Sequence, residues 1–194
     1  MEEMLRQADR MTQILRDLIE LTRLESAEAP AKHDFVDVSS MLKLMINDVE
    51  ARESHPKLEL DLQSDAALLG NESELHSIFF NLINNAVRFT PPTGSVSVSW
   101  RTAGEEAVFT VTDTGIGIAS DQIPRITERF YRVDPGRSRA TGGTGLGLAI
   151  VKHALQRHDA RLIIASVEGE GSTFSCRFES ERVAFRGGSA QAVV

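Results

Sequence analysis

The stretch "NLINNAVRFTP", residues 81–91, sets two amides and a guanidinium on one side of what reads as a helix. At 100° per residue, Asn81, Asn85 and Arg88 fall within about 60° of one another. Leu75, Phe79, Leu82, Ile83 and Ala86 gather on the opposite side, where a core would lie. Asparagine is a mediocre helix former and costly to bury unpaired. An amide oxygen can ligate a hard cation such as Mg²⁺, which keeps several waters and binds through substrate phosphates. A guanidinium such as that of Arg88 suits phosphate oxygens. Taken alone, this helix is equally well explained as a solvated polar face.

Two further stretches carry chemistry. In "DTGIGI" (113–118) an acid ends a strand and a Gly-x-Gly turn follows, where backbone can approach a ligand closely. The Asp113 carboxylate only accepts hydrogen bonds, which suits an exocyclic amine such as that of adenine. The dinucleotide fingerprint is absent, because Ser120 stands three residues after Gly117. In "GGTGLGLAIVK" (142–152), Gly142, Gly143, Gly145 and Gly147 lead into a helix. Such a start turns N–H groups and the helix dipole toward an anion. No P-loop pattern is present, and a hinge would use the same glycines.

The elements that must hold these residues read as a mixed α/β domain behind one long helix. Residues 2–26 lack Gly and Pro, and Met4, Met11, Leu15 and Leu18, widened by Ile14, Leu21 and Leu24, form one apolar stripe that needs a partner. "AEAPAKHD" breaks that helix. Strands are expected at "FVDV", "LELDL", "SVSVSW", "AVFTVT", 161–167 and 173–179, with a turn at Gly104. Helices are expected at 40–53, 72–89 and 146–157, and a long loop at 118–143.

Composition narrows the function classes. The chain has 194 residues and a net charge of −7, which argues against nucleic acid as the main partner. The single cysteine, Cys176, excludes an internal disulfide and alternates with Phe174 and Phe178 as a core strand residue. No apolar run reaches the length of a membrane span and no signal peptide is visible, so a cytoplasmic chain is expected.

The order of the three stretches resembles the ATP-binding domain of sensor histidine kinases. "NLINNAVRFT" is similar to that family's N box, "DTGIGI" to its first glycine box, "ERFYRVD" (128–134) to its F box and "GGTGLGLAIVK" to its second glycine box. The run "ITERFYRVDPGRSRATGGTGLGLAIVKHAL" is most similar to the phosphate-regulon sensor subgroup, with Thr127 where other members carry phenylalanine.

The resemblance implies an α+β fold. Its core is a two-layer sandwich of the histidine kinase/Hsp90/gyrase type, with a mixed sheet and helices on one face, preceded by one long helix. It implies that 1–27 is the second helix of a dimerisation hairpin, 28–34 a linker, 35–181 the catalytic domain and 182–194 a disordered tail. It implies ATP and Mg²⁺ as cofactors, with Asn85 as metal ligand helped by Asn81. Arg88 stands where many members have lysine, and Phe89 where tyrosine is common. Asp113, Gly115, Gly117 and Ile118 would shape the adenine pocket. Tyr131, Arg132 and the loop Gly143, Thr144, Gly145, Leu146, Gly147 and Leu148 would close over the nucleotide, with 119–142 as a lid.

ATPases of the same fold carry a glutamate base four residues before the metal-binding asparagine. Here that position is Asn81, and Glu74 lies nearly two turns away. A kinase is therefore expected rather than a hydrolase or a non-catalytic module. A kinase of this kind also needs an acceptor histidine followed by an acid and, shortly after, a proline. None of His33, His55, His76, His153 and His158 fits. The resemblance puts the acceptor on a first hairpin helix before Met1. It makes the chain part of a larger sensor, expected on the inner membrane, that dimerises through its hairpins and passes phosphoryl groups to a response-regulator receiver domain.

Overall fold

The computed structural model describes residues 2–26, 34–133 and 143–185. The linker with His33, the lid segment 134–142 with Gly142, and the tail from 186 lie outside the described residues. The chain runs α1 (Glu2–Ser26), β1 (Asp34–Val36), α2 (Val38–Glu50), β2 (Lys57–Leu62), β3 (Ala67–Gly70), α3 (Glu72–Phe89), β4 (Ser95–Ala103), β5 (Glu106–Asp113), α4 (Gly147–Arg157), β6 (Ala160–Val167), β7 (Gly171–Phe178), a 3-10 turn (Ser180–Arg182) and β8 (Val183–Ala184).

Alternation builds the main sheet. Val96, Val98 and Trp100 of β4 and Ala107, Phe109 and Val111 of β5 point inward and are buried, as period-two strands require. The sheet order is β2-β4-β5-β7-β6, with β2 and β4 parallel and the rest antiparallel. Gly104, at φ +67°, makes the β4–β5 turn. Thr110 pairs with Ser175 at 3.2 Å and Thr112 with Thr173 at 3.1 Å, so hydroxyls line the sheet face away from the helices. Helices α2, α3 and α4 cover the other face, giving the expected two-layer α+β architecture. Phe79 of α3 stacks obliquely on Phe109 with ring centroids 4.5 Å apart. Truncating it to alanine is expected to cost about 3–5 kcal/mol. Cys176 sits in this core, and burial raises its thiol above the ordinary range.

Caps set the helix starts. Asp37 accepts from Ser40 N–H at 3.1 Å and starts α2. The strand expected at "FVDV" therefore ends at Val36, and the helix expected from 40 begins at Val38. Asn71 accepts from Glu74 N–H at 3.1 Å and starts α3. That helix runs over 72–89 as expected and stops ahead of Pro91.

Two expectations need correction. A second sheet, in the order β1-β3-β8, is present beside the main one. Its strand β1 was expected within "FVDV", but β3 and β8, four and two residues long, are too short for periodicity to reveal. The tail expected to be disordered from 182 is also structured as far as Phe185. Arg182 is buried and pairs with Asp159 at 2.8 Å, while Val183 and Ala184 pair with Leu68 and Ala67.

Helix α1 carries two faces rather than one stripe. Arg10, Asp17, Leu21 and Leu24 lie within about 60° of one another, and Leu21 and Leu24 are buried. Met4, Met11, Leu15 and Ile19 lie on the other side and are 59–78% exposed. Three links fasten the first face to the domain. Glu20 accepts from the Ser77 hydroxyl. Asp17 accepts from the Thr144 hydroxyl at 2.6 Å. Glu25 pairs with Arg129 and, at 3.2 Å, with His153. No described helix is long and apolar enough to cross a membrane.

Candidate functional site

Helix α3 presents its polar face to the glycine loop. The Asn81 amide donates to Ser77 O at 2.8 Å, which leaves its carbonyl oxygen toward the start of α4. A Cβ on Gly147 would stand 2.5 Å from that oxygen, and a Cβ on Gly143 would stand 2.6 Å from Arg88 Nη1. The loop therefore lies directly on Asn81 and Arg88, with Asn85 half-buried between them along the helix. The guanidinium of Arg88 is 5.5 Å from the Phe89 ring centroid. Burial, then the charges of Arg132 and Arg10, push Arg88 below its ordinary value.

The loop is held by close backbone contacts. Gly145, at φ +75°, passes so close to Phe130 that a Cβ would meet its backbone at 2.9 Å. Phe130 N–H closes the approach on Gly145 O at 2.9 Å. Helix α4 starts at Leu146 with no side-chain cap of its own, so its first N–H groups and dipole face the loop. Leu146 itself is fully buried, so of the loop residues expected at the nucleotide it can offer only backbone. Leu148 also leans on the core.

Asp113 closes the other end. It is 6% exposed, and Oδ1 accepts from Gly115 N–H at 2.9 Å. Burial raises its carboxyl above the usual range, against the pull of backbone hydrogen bonds from Gly115 and Ser172. The turn that follows is fixed on both sides. Ile116 N–H reaches Phe89 O at 3.3 Å, which ties it to the end of α3. Ile118 N–H donates to Ser166 Oγ at 2.8 Å. Gly117, at φ +65°, runs so near β6 that a Cβ would lie 2.0 Å from Val167 O. Of the F-box residues, Arg132 is half-buried near Arg10 and Arg88. Tyr131 packs on the core beneath Arg125, whose guanidinium is 4.4 Å from its ring centroid. A groove of about 730 Å³ along α4 and β6 contains none of the expected site residues.

Glu74 is no base. It is buried, and Arg157 Nε donates to both its oxygens at 3.2 and 3.0 Å. His158 is equally committed. Its Nδ1–H donates to Ala154 O at 2.8 Å and its Nε2 accepts from Asn71 N–H at 3.1 Å. Burial lowers its pKa and keeps it neutral. His76 stacks on Phe80 and His55 Nδ1 meets Pro56 O at 2.8 Å. The contribution of α1 was not foreseen. Asp17 and Arg10 are seven residues apart, so one helical face presents both to the loop, and only that spacing hinted at it.

Known proteins share this fold. The family described as "Histidine kinase-, DNA gyrase B-, and HSP90-like ATPase" matches residues 70–182. The phosphate regulon sensor protein PhoR of Pseudomonas aeruginosa is 46% identical over 95% of this chain and 42% of its own. The sensor-like histidine kinase SenX3 of Mycolicibacterium smegmatis is 42% identical over 90% of this chain and 46% of its own. Full-length ShkA, solved in complex with AMPPNP, superposes with a TM-score of 0.77 at 27% identity, over 92% of this chain and 37% of that one. The chain thus spans less than half the length of these relatives. It belongs to the histidine kinase-, DNA gyrase B- and HSP90-like ATPase family.

Proposed function

We propose that the chain binds ATP with Mg²⁺ and transfers the γ-phosphoryl group to a histidine outside these 194 residues. A response-regulator aspartate then receives it. The observation that carries this reading is the seating of Gly143 and Gly147 on Arg88 and Asn81, so close that a Cβ at either glycine would collide, which brings loop backbone against the guanidinium and the amide. Asp113 accepts from the adenine amine. Arg88 and the N–H groups at the start of α4 hold the triphosphate.

The donor set fits Mg²⁺. The described residues offer no group of three or more His, Cys, Asp or Glu that would cage a metal. A cation here relies on phosphate oxygens and an amide oxygen, as Mg²⁺ does. Asn85 supplies that oxygen, with Asn81 beside it. When bound, the ion neutralises charge on the β- and γ-phosphates.

In the transfer an imidazole nitrogen bonds to the γ-phosphorus and the bond to the β–γ bridging oxygen breaks. ADP leaves with the electron pair. Water competes poorly, because Glu74 is held by Arg157 and position 81 is an amide. In the whole protein, Met4, Met11, Leu15 and Ile19 pair with the other hairpin helices in a dimer, and the parent sits on the inner membrane with this part inside. Incubation with labelled ATP and a histidine-bearing partner domain tests the reading. Label on the partner histidine is expected; free phosphate with no protein label would contradict it.

A further inference from the structure

Arg10 lies on α1, outside the catalytic domain, yet the docked face of that helix carries it toward the glycine loop. Asp17, two turns along the same face and about 10 Å further down the axis, holds the Thr144 hydroxyl at 2.6 Å. Arg10 is half-buried, and its Nε is shut off from solvent with no hydrogen-bond partner. Its charge reaches both Arg88 and Arg132, each displaced below its ordinary value first by burial and then by neighbouring guanidinium charge. Asp17, one of the carboxylates on this face, accepts from Gln13 at 2.7 Å and from Thr144.

Three guanidinium groups drawn together in partly buried space repel one another. An anion of several charges reverses the sign of that term, and guanidinium geometry matches phosphate oxygens. The nucleotide loop lies against the same cluster, with Gly143 on Arg88. We propose that Arg10 is a third phosphate-binding arginine, brought by the docked helix α1 to the terminal phosphate of a bound nucleoside triphosphate. This rests on the nucleotide reading above and extends it. A triphosphate strengthens the docking of α1, and loss of its terminal phosphate weakens it, so the nucleotide state is passed to the helix that enters the dimer.

The test is titration of the chain, and of Arg10→Ala and Arg10→Lys, with AMPPNP and with ADP in Mg²⁺. Arg10→Ala is expected to weaken AMPPNP about tenfold and ADP by less than about twofold. Arg10→Lys recovers part of the loss. Retained ADP affinity shows that the variant is folded. Equal weakening of both nucleotides, or of neither, would overturn the role of Arg10 while leaving the nucleotide site intact. Failure of the unaltered chain to bind either nucleotide would overturn the site and this role with it.

Discussion

Gly147 lies against Asn81, with a Cβ built there only 2.5 Å from the amide oxygen. The first residue of α4 and the polar face of α3 thus form one surface. A side chain at 147 would displace the Asn81 amide or the start of α4. Gly147→Ala is therefore expected to weaken ATP at least about tenfold while the core is retained. Calorimetry with circular dichroism measures both.

Gly117 and Gly104 offer a controlled pair. Both have positive φ, +65° and +67°, but a Cβ at 117 meets Val167 O at 2.0 Å and one at 104 meets nothing within 4 Å. Gly104→Ala is expected to cost about 1 kcal/mol from backbone strain alone. Gly117→Ala adds a backbone collision, for a total of about 3 kcal/mol or more. Urea denaturation of the two variants measures the difference.

Asp113 has its carboxyl raised by burial. The folded state therefore holds that proton more tightly than the unfolded chain, so this group favours folding at low pH. That contribution fades as pH rises from the unfolded carboxyl pKa through the raised folded one. Nucleotide affinity runs the other way, because only the carboxylate accepts from an amine. ATP binding is expected to fall as pH drops through the raised value, at a pH above that of an ordinary aspartate. Asp113→Ala should abolish binding at every pH, as read by titration across the acid range.

His158 has the opposite sign of effect on stability. Its pKa is lowered by burial, so the unfolded chain takes up the proton first as pH falls. Stability is full above the ordinary imidazole value of about 6.5 and declines as pH drops from there through the lowered folded value. Gly70→Ala should also destabilise the fold, since its Cβ would meet the imidazole at 2.5 Å. Denaturation midpoints against pH for the parent and His158→Gln check the slope, which should flatten in the variant.

The Glu74–Arg157 pair is buried at Glu74 and half-buried at Arg157, with side-chain exposures of 8% and 15%. Glu74→Gln leaves a guanidinium short of its counter-charge and is expected to cost about 3 kcal/mol. It should not change the slow release of phosphate from ATP, because Glu74 does not act on water. A drop in hydrolysis without a drop in stability would assign it a catalytic role instead.

The legible parts of the molecule were those written in periodicity. The span of α3 was read from its apolar face, and the polar face Asn81, Asn85, Arg88 followed from the same helix, while the Asn71 cap emerged only in the structure. Of the small sheet only β1 was read, because strands such as Val183–Ala184 gain their pairing from partners far away in sequence. The role of α1 was hidden for a related reason. Leu21 and Leu24 read as part of one stripe with Met11 and Leu15, and only the packed domain separates the face it covers from the face it leaves exposed. Nothing local marks Asp17 as the partner of Thr144, 127 residues away.

The most direct test is calorimetric titration of the folded chain with ATP, with and without Mg²⁺, beside Asn85→Ala. Saturable heat is expected for the unaltered chain, stronger with Mg²⁺, and Asn85→Ala should lose the metal-dependent part while keeping the rest. No heat at millimolar ATP, or an identical Mg²⁺ response in Asn85→Ala, would contradict the site described above.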